Sequence, residues 1–263
     1  MVESLAVRLG LSRSDKARII KHTRPGRILE IGFGTGEVLE ILAAYHSDSG
    51  FVAIERDTEL FELSQQRLKE YKNIHFLNAD IWDVAEIGLG KFDSIVLSSS
   101  LHEILPSSNK KRLEKFFRFL KCLTRQNGVI VIRDGVKPER NSVSSVRFKS
   151  PKVKSRFIRF TTQFFRLIPY QLVEPDLVEI KLWDLHDFLN KYFFEGELWQ
   201  RDMKESFGYF TLKEVVEASG SGLRVLHSEQ YSLEFLTTRW SNDFEMEHPA
   251  PPSSHMLLVL EKQ

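Results

Sequence analysis

The sequence has little of what disulfide-stabilised or membrane-spanning proteins need. Cys122 is the single cysteine among 263 residues, so no disulfide can form within the chain. No run of eighteen apolar residues occurs, and we therefore expect no transmembrane segment. No basic-then-apolar leader with a cleavage site is visible at the N-terminus. Together these absences predict a cytoplasmic protein.

An excess of charge of one sign is also missing. Lys and Arg number 37 and Asp and Glu number 36, which gives a net charge of +1. Nucleic acid is therefore not favoured as a partner, and any contact with a membrane surface must be local. The 42% of hydrophobic residues is enough to bury a full core in one large domain or two small ones. Nothing in the sequence specifies an oligomeric state.

The most informative stretch runs from position 27 to position 42. Its sequence, RILEIGFGTGEVLEIL, predicts a short buried strand, a glycine turn and a helix. Three glycines in the turn permit positive φ and let a ligand approach the backbone, and the free N–H groups at the start of the helix favour polar or anionic groups. A turn of this kind can also serve packing alone.

The spacing of the glycines separates two classes of ligand-binding turn. A dinucleotide fingerprint needs Gly or Ala at position 37, where this chain has Glu37. An acidic residue, Glu30, followed by three alternating glycines instead resembles motif I of the class I, seven-strand S-adenosylmethionine (SAM) methyltransferases. The resemblance implies that Glu30 orients the ammonium group of SAM. By the same resemblance the turn residues that bind the cofactor are Gly32, Phe33, Gly34 and Gly36.

Acidic residues follow the next two predicted strands. Glu55 stands at the tip of the second strand, where its carboxylate could accept hydrogen bonds from both ribose hydroxyls, and Arg56 follows it in the same predicted site. A solvated charge at a strand end is the alternative. The resemblance implies that Asp80 binds the adenine amino group and that Ile81 covers the ring. Trp82 could stack on adenine, but a core position is more typical of such a residue.

The segment after the fourth strand is the predicted catalytic edge. Ser98 directly follows the predicted strand and is a predicted cofactor contact, and LHEI at 101–104 resembles a variant of the corresponding motif in bacterial small-molecule methyltransferases. Ligands of open α/β sheets lie at the carboxyl ends of strands, near the point where the strand order reverses. His102 could act as a general base, or it could bond to a backbone carbonyl.

Three chemistries are disfavoured in this region. The Asn/Asp-Pro-Pro-aromatic motif that grips a planar amine is replaced by serines at 98–100. Cytosine C5 methylation needs a cysteine nucleophile, and Cys122 lies in an apolar helix pattern. His102 and Glu103 begin like a zinc-protease motif, but Pro106 replaces the second histidine, so no metal site is predicted.

Two charged residues, Arg133 and Asp134, end the fifth strand. Arg133 could hold an anionic substrate group and Asp134 could accept a proton. An ion pair between the two is the favoured alternative.

The region from 138 to 210 interrupts the methyltransferase pattern. Positions 140–173 carry eight basic residues and no acidic one, whereas 174–205 carry nine acidic and four basic residues. A helix with a phenylalanine stripe beside these cations could lie on a membrane, contact phosphates or dock on the acidic part of its own chain. We expect a cap over the methyl donor, in which the aromatic residues line a substrate pocket or form a core.

These patterns predict a Rossmann-like α/β fold with a doubly wound, mostly parallel seven-stranded sheet, an antiparallel last strand and a helical insertion after strand five. The expected divisions are a first core part at 1–136, the insertion at 137–209 and the completed core at 210–263. We expect a SAM-dependent methyltransferase acting on an O- or N-nucleophile of a small molecule or peptide, with S-adenosylhomocysteine as product. The alternatives are a SAM-binding module without turnover, and an RNA or protein methyltransferase that docks through 140–166.

Overall fold

A computed structural model describes residues 13–84, 88–246 and 251–263. The chain divides into two compact units. Of the described residues, one unit contains those within 13–134, 214–229 and 256–263, and the other contains those within 135–213 and 230–255. Within the described ranges, every helix is too short or too polar to cross a bilayer.

The first unit is built on a seven-stranded sheet. Its strands are β1 (Arg27–Ile31), β2 (Gly50–Glu55), β3 (Ile74–Asn78), β4 (Phe92–Ser98), β5 (Thr124–Gly135), β9 (Leu223–Tyr231) and β11 (His255–Lys262), and their order in space is β3-β2-β1-β4-β5-β11-β9. The sheet is mostly parallel and its last strand is antiparallel, which confirms the predicted fold.

Short helices connect these strands. A 3₁₀ helix, Ala17–His22, precedes β1, and the α-helices are α1 (Glu37–Tyr45), α2 (Thr58–Arg67), α3 (Leu101–Ile104), α4 (Lys110–Leu123) and α8 (Leu212–Ser219). The apolar face predicted for α4 is buried, and Cys122 is exposed on that helix. Asp57 caps α2 by accepting a hydrogen bond from the Leu60 N–H at 3.0 Å.

The parallel register brings the carboxyl ends of the central strands to one edge. Ile31 of β1 pairs with Ile54 of β2 and with Leu97 of β4, and Leu97 pairs with Ile132 of β5. The residues that follow these four positions therefore lie side by side. They include the glycine turn, Glu55, the serines after β4 and the charged end of β5.

The second unit contains the insertion and carries a sheet of its own. Its strands are β6 (Val143–Phe148), β7 (Tyr170–Glu174), β8 (Leu177–Lys181) and β10 (Phe244–Met246), in the order β10-β6-β8-β7. Its helices are α5 (Pro151–Gln163), α6 (Leu182–Lys191), α7 (Gly196–Asp202) and α9 (Glu234–Asp243). The helices were expected, whereas the antiparallel sheet was not. Residues 230–255, expected to complete the core, group with the insertion because β10 pairs with β6.

An aromatic core holds the second unit together. The phenylalanine stripe of α5 is buried, as the periodicity indicated, and Tyr192, Phe194 and Trp199 belong to the same cluster. These aromatic side chains therefore form a core, which was one of the two interpretations of the sequence. The cap over the methyl donor stays a prediction.

Acidic residues of the same unit neutralise part of its basic stretch. Arg166 pairs with Asp184 and with Asp187, the latter at 2.9 Å. Arg156 and Arg159 both approach Glu195, at 2.5 and 3.4 Å. Arg147 lies 2.5 Å from Asp176 and 2.8 Å from Glu174. Of the three uses proposed for the basic stretch, docking on its own chain is the one these contacts support.

We predict that Phe188→Ala destabilises the second unit by about 3 to 5 kcal/mol, because the substitution leaves a cavity in the core. Phe188 is fully buried, and its ring lies within 6.5 Å of the rings of Phe148, Phe157, Phe160, Tyr192 and Phe244. Denaturant unfolding followed by tryptophan fluorescence measures the effect. Phe165→Ala is the matched control: this ring is half exposed and should cost under about 1 kcal/mol. Equal losses would contradict the assignment of Phe188 to the core.

Candidate active site

Backbone geometry explains the three glycines after β1. Gly32, Gly34 and Gly36 have φ of 71°, 53° and 73°, which side chains rarely tolerate. A Cβ at Gly32 would lie 2.6 Å from the Cβ of Ser100, and one at Gly36 would lie 2.8 Å from Leu68. A Cβ at Gly34 would meet nothing within 4 Å. The turn therefore packs at its two ends and leaves open space at its middle.

The carboxylate of Glu55 holds the middle of this turn. Its Oε2 accepts a hydrogen bond from the Gly34 N–H at 2.9 Å, and its Oε1 accepts one from the Asp57 N–H at 2.9 Å. Ser64 of α2 adds a third link by donating to the Gly34 carbonyl at 2.6 Å. Each carboxylate oxygen has a second lone pair, so Glu55 can also accept hydrogen bonds from a ligand.

A cleft at the carboxyl edge of β1, β2 and β3 contains half of the predicted cofactor residues. It is lined by Ile31, Gly32, Ile54, Glu55, Arg56, Ala79, Asp80, Ile81, Ser100, Glu103 and Ile104. Asp80 is ordered by accepting a hydrogen bond from the Trp82 N–H at 2.9 Å. The Trp82 ring lies 5.5 Å from that of Phe116 on α4, which supports the packing interpretation of this residue.

Phe33 is oriented differently from its neighbours in the turn. Its side chain is buried, and its ring lies 5.7 Å from that of Phe76 and 6.4 Å from that of Phe61. Phe33 can therefore reach a ligand through its backbone and not through its ring.

Glu30 is a buried acid on the central strand β1. It is 1% exposed, and its Oε2 has no hydrogen-bond partner. Burial raises the pKa of Glu30 to about 8, against the opposing effect of Lys16. Lys16 is itself buried and donates to Glu37 at 2.7 Å, and burial lowers the pKa of Lys16. An unsatisfied buried carboxyl oxygen of this kind fits a polar or cationic ligand group.

A turn of three serines connects β4 to α3. Ser99 has φ of 57°, and Ser100 donates to the Ile31 carbonyl at 2.7 Å, which ties the turn to β1. The Oγ of Ser98 is buried without a hydrogen-bond partner. Ser98 and Glu30 therefore both bring unsatisfied oxygens to this region of the first unit.

His102 and Asp134 form a hydrogen-bonded pair. The His102 Nδ1 lies 2.6 Å from Asp134 Oδ1, and Asp134 Oδ2 accepts a hydrogen bond from the Leu101 N–H at 2.7 Å. Asp134 is 1% exposed, whereas the His102 side chain is 18% exposed. A carboxylate acceptor favours the imidazole tautomer with its proton on Nδ1, which leaves the lone pair on Nε2.

Arg133 has a partner that the sequence did not suggest. Its guanidinium bonds to Asp15 through Nε at 2.7 Å and through Nη2 at 2.5 Å, and Nη1 donates to Ser99 Oγ at 2.6 Å. The favoured ion pair between Arg133 and Asp134 was wrong, because successive strand residues point to opposite faces of a sheet. A role for Arg133 in holding a substrate anion stays a prediction, although its side chain is only 2% exposed.

Sequence reasoning missed the contribution of the N-terminal helical segment. In the helical segment at 13–22, Asp15 pairs with Arg133 at the end of β5 and Lys16 pairs with Glu37 at the start of α1, whereas the sequence indicated no chemical role for this segment. Two adjacent opposite charges, followed by apolar Ala17 and Ile19, were the available signal. Their partners lie 118 and 21 residues away, so the pattern alone could not identify them.

The strand order, the glycine turn after β1 and the acid at the end of β2 define the class I methyltransferase fold. A family model described as a methyltransferase domain matches residues 28–122, the segment that carries β1 to β4, the glycine turn and Glu55. The predicted family resemblance and fold are therefore confirmed for this part of the chain.

Comparisons with individual proteins agree on the fold. The chain is 43% identical over 68 residues to the ribosomal RNA small subunit methyltransferase A of Caldanaerobacter subterraneus subsp. tengcongensis, and this match covers 25% of each protein. It resembles the pyocyanin biosynthetic protein PhzM, with a TM-score of 0.55 and 12% identity over 97% of this chain and 55% of that one. An O-methyltransferase family 2 protein from Planctomyces limnophilus, solved with apigenin, has a TM-score of 0.53 and 13% identity over 99% and 61%.

We predict that Glu30→Gln makes stability less dependent on pH. Between the usual carboxyl pKa of 4.5 and the folded value of about 8, folded Glu30 keeps a proton that the unfolded chain has lost. The unfolding free energy of the wild type should therefore fall as the pH rises, by about 1 kcal/mol per unit from this group. The Gln side chain does not titrate, so the unfolding free energy of the variant should lack this decrease. Denaturant unfolding of both proteins at about pH 5.5 and pH 7.5 measures the two unfolding free energies. If the difference between wild type and variant is the same at both pH values, Glu30 titrates normally.

We predict that Glu55→Ala weakens SAM binding by about 1 to 3 kcal/mol, because the cleft loses a charged acceptor and Gly34 loses its hydrogen bond. Calorimetric titration of the folded variant measures this change. Glu59→Ala, on the exposed first turn of α2, is the control and should bind SAM as the wild type does. Unchanged affinity in the Glu55 variant would remove this residue from the site.

Proposed function

We propose that this protein transfers a methyl group from SAM to an O- or N-nucleophile of a small molecule or peptide. The observation that carries the proposal is the His102–Asp134 pair, because His102 lies in the same short segment as Ser100, Glu103 and Ile104, which line the cleft. A fold of this class with a paired histidine beside the cleft supports an enzyme over a module that only binds SAM.

The residues of the cleft fit SAM as cofactor. Gly34 leaves open space above the turn, Glu55 can accept from ribose hydroxyls, and Asp80 with Ile81 suits an adenine ring. The unsatisfied Oε2 of Glu30 suits an ammonium group, with Gly32, Gly36, Arg56 and Ser98 nearby on the same edge. SAM, when bound, supplies an electrophilic methyl carbon, and S-adenosylhomocysteine is the product of its transfer.

His102 supplies the proton acceptor in this proposal. With the Nδ1 proton bonded to Asp134, the Nε2 lone pair can take a proton from an acceptor hydroxyl or amine. The buried carboxylate then stabilises the imidazolium that forms. Asp134 acts by holding the ring, and its second oxygen fixes the carboxylate to the Leu101 N–H.

Small-molecule acceptors are favoured over RNA. The pyocyanin biosynthetic protein and the protein solved with apigenin are similar in fold, and both are named with small molecules. The short match to a ribosomal RNA methyltransferase keeps RNA as the second candidate. Against RNA, four arginines of the basic stretch are paired with acids of their own unit, and serines replace the amine-gripping motif after β4.

We also propose a cytoplasmic location, supported by the single unpaired cysteine.

We predict that His102→Gln lowers methyl transfer by about 10²- to 10⁴-fold while SAM affinity stays within about twofold, because the proton acceptor is lost and the cleft is retained. Incubating the protein with SAM and fractionated metabolite or peptide extracts, followed by mass spectrometry for a 14-unit mass gain, measures turnover. Total cellular RNA tested in parallel examines the second candidate. His75→Gln, at an exposed position on β3, is the control. Full turnover in the His102 variant would exclude it as the base.

A further inference from the structure

Two consecutive residues of β5 hold the turn between β4 and α3. The Arg133 carbonyl accepts the Ser99 N–H at 2.8 Å, and the Arg133 Nη1 donates to Ser99 Oγ at 2.6 Å. Asp134 bonds to the Leu101 N–H and to the His102 ring. The position of His102 therefore depends on both β5 side chains, which leave the strand on opposite faces.

The backbone of this turn requires support. Among the described residues other than glycine, positive φ occurs at Ser99 and Asn127. A serine in the left-handed region is strained and keeps that conformation only where its surroundings impose it. For Ser99 the surroundings are two hydrogen bonds with Arg133: the Ser99 N–H donates to the Arg133 carbonyl, and Arg133 Nη1 donates to Ser99 Oγ. Loosening them would let the turn relax and would move His102 relative to Asp134.

The Arg133 guanidinium is in turn fixed by Asp15. Two of its nitrogens bond to the same carboxylate oxygen of Asp15, and the Arg133 side chain is almost completely buried. A buried guanidinium is strongly dependent on its carboxylate partner, because water cannot replace it. Asp15 thus connects the N-terminal helical segment, which precedes the matched domain at 28–122, to the turn that carries His102.

We infer that Asp15 and Arg133 are positioning residues that hold Ser99 in its left-handed conformation and thereby keep the His102 ring bonded to Asp134. This inference rests on the proposed role of His102. It gives Arg133 a function different from holding a substrate anion. It also means that the N-terminal helical segment, through Asp15, helps to fix the position of His102, the proposed proton acceptor.

The tautomer of His102 tests this inference without a known methyl acceptor. In full-length protein labelled with ¹⁵N-histidine, NMR distinguishes a proton on Nδ1 from one on Nε2. We expect the Nδ1–H form to predominate in the wild type and to fall to about half in Asp15→Asn, whose neutral amide holds the guanidinium less well. Ser99→Ala removes the acceptor of Arg133 Nη1 without leaving a buried charge unpaired, and it should have the same effect.

A double variant and a control complete the experiment. If the two residues act through one relay, Asp15→Asn with Ser99→Ala should change the tautomer no more than either substitution alone. Arg18→Gln is the control, because Arg18 Nη1 approaches the same Asp15 carboxylate at 3.8 Å from a more exposed position. The inference is overturned if both single variants keep the wild-type tautomer, or if Arg18→Gln shifts it equally. SAM titration of the wild type tests the proposed function separately, since failure to bind SAM leaves the tautomer result intact.

Discussion

The hydrogen-bonded register of parallel strands β1, β4 and β5 is the constraint on which the site depends. Because Ile31, Leu97 and Ile132 are aligned, the chain leaves all three strands at one edge. The segments that follow must then satisfy their own backbone groups. They do so with each other: Ser100 bonds to the Ile31 carbonyl, and Ser99 bonds to the Arg133 carbonyl. The candidate active site is thus made from the ends of the sheet and not from added loops.

Burial of charge is the main energetic cost of this edge. Arg133 and Asp134 are almost inaccessible, and each is compensated by a partner of suitable charge or polarity. Glu30 is not fully compensated, and its raised pKa is the consequence. A polar group left unsatisfied at the carboxyl end of a central strand is destabilising in the free protein. A cationic ligand group bound beside Glu30 would supply the partner that its Oε2 lacks.

In the second unit, several arginines of the basic stretch form ion pairs with acidic residues of the same unit. Three arginines of the basic stretch, Arg156, Arg159 and Arg166, lie on α5 or just after it, and the apolar face of α5 packs into the aromatic core. Ion pairs with Asp184, Asp187 and Glu195 fix that helix to α6 and to the start of α7. Four of the eight cations of the basic stretch are therefore paired with acids from a later segment, so the charge excess along the sequence overstates the unpaired charge in the fold.

Sequence alone determined the features that depend on neighbours along the chain. The glycine turn, the acid at the tip of β2 and the apolar face of α4 each follow from local spacing, and Glu55 and Asp80 could be assigned to the cleft because parallel strands share an edge. The partners of Arg133 and His102 could not be found this way. Asp15 lies 118 residues from Arg133, and alternation along β5 sends Arg133 and Asp134 to opposite faces. Tertiary structure decided these partners. The N-terminal segment brings Asp15 to Arg133, and the 99–102 turn brings His102 to Asp134. The sequence could not show this, because the strength of an ion pair depends on distance in space and not on separation along the chain.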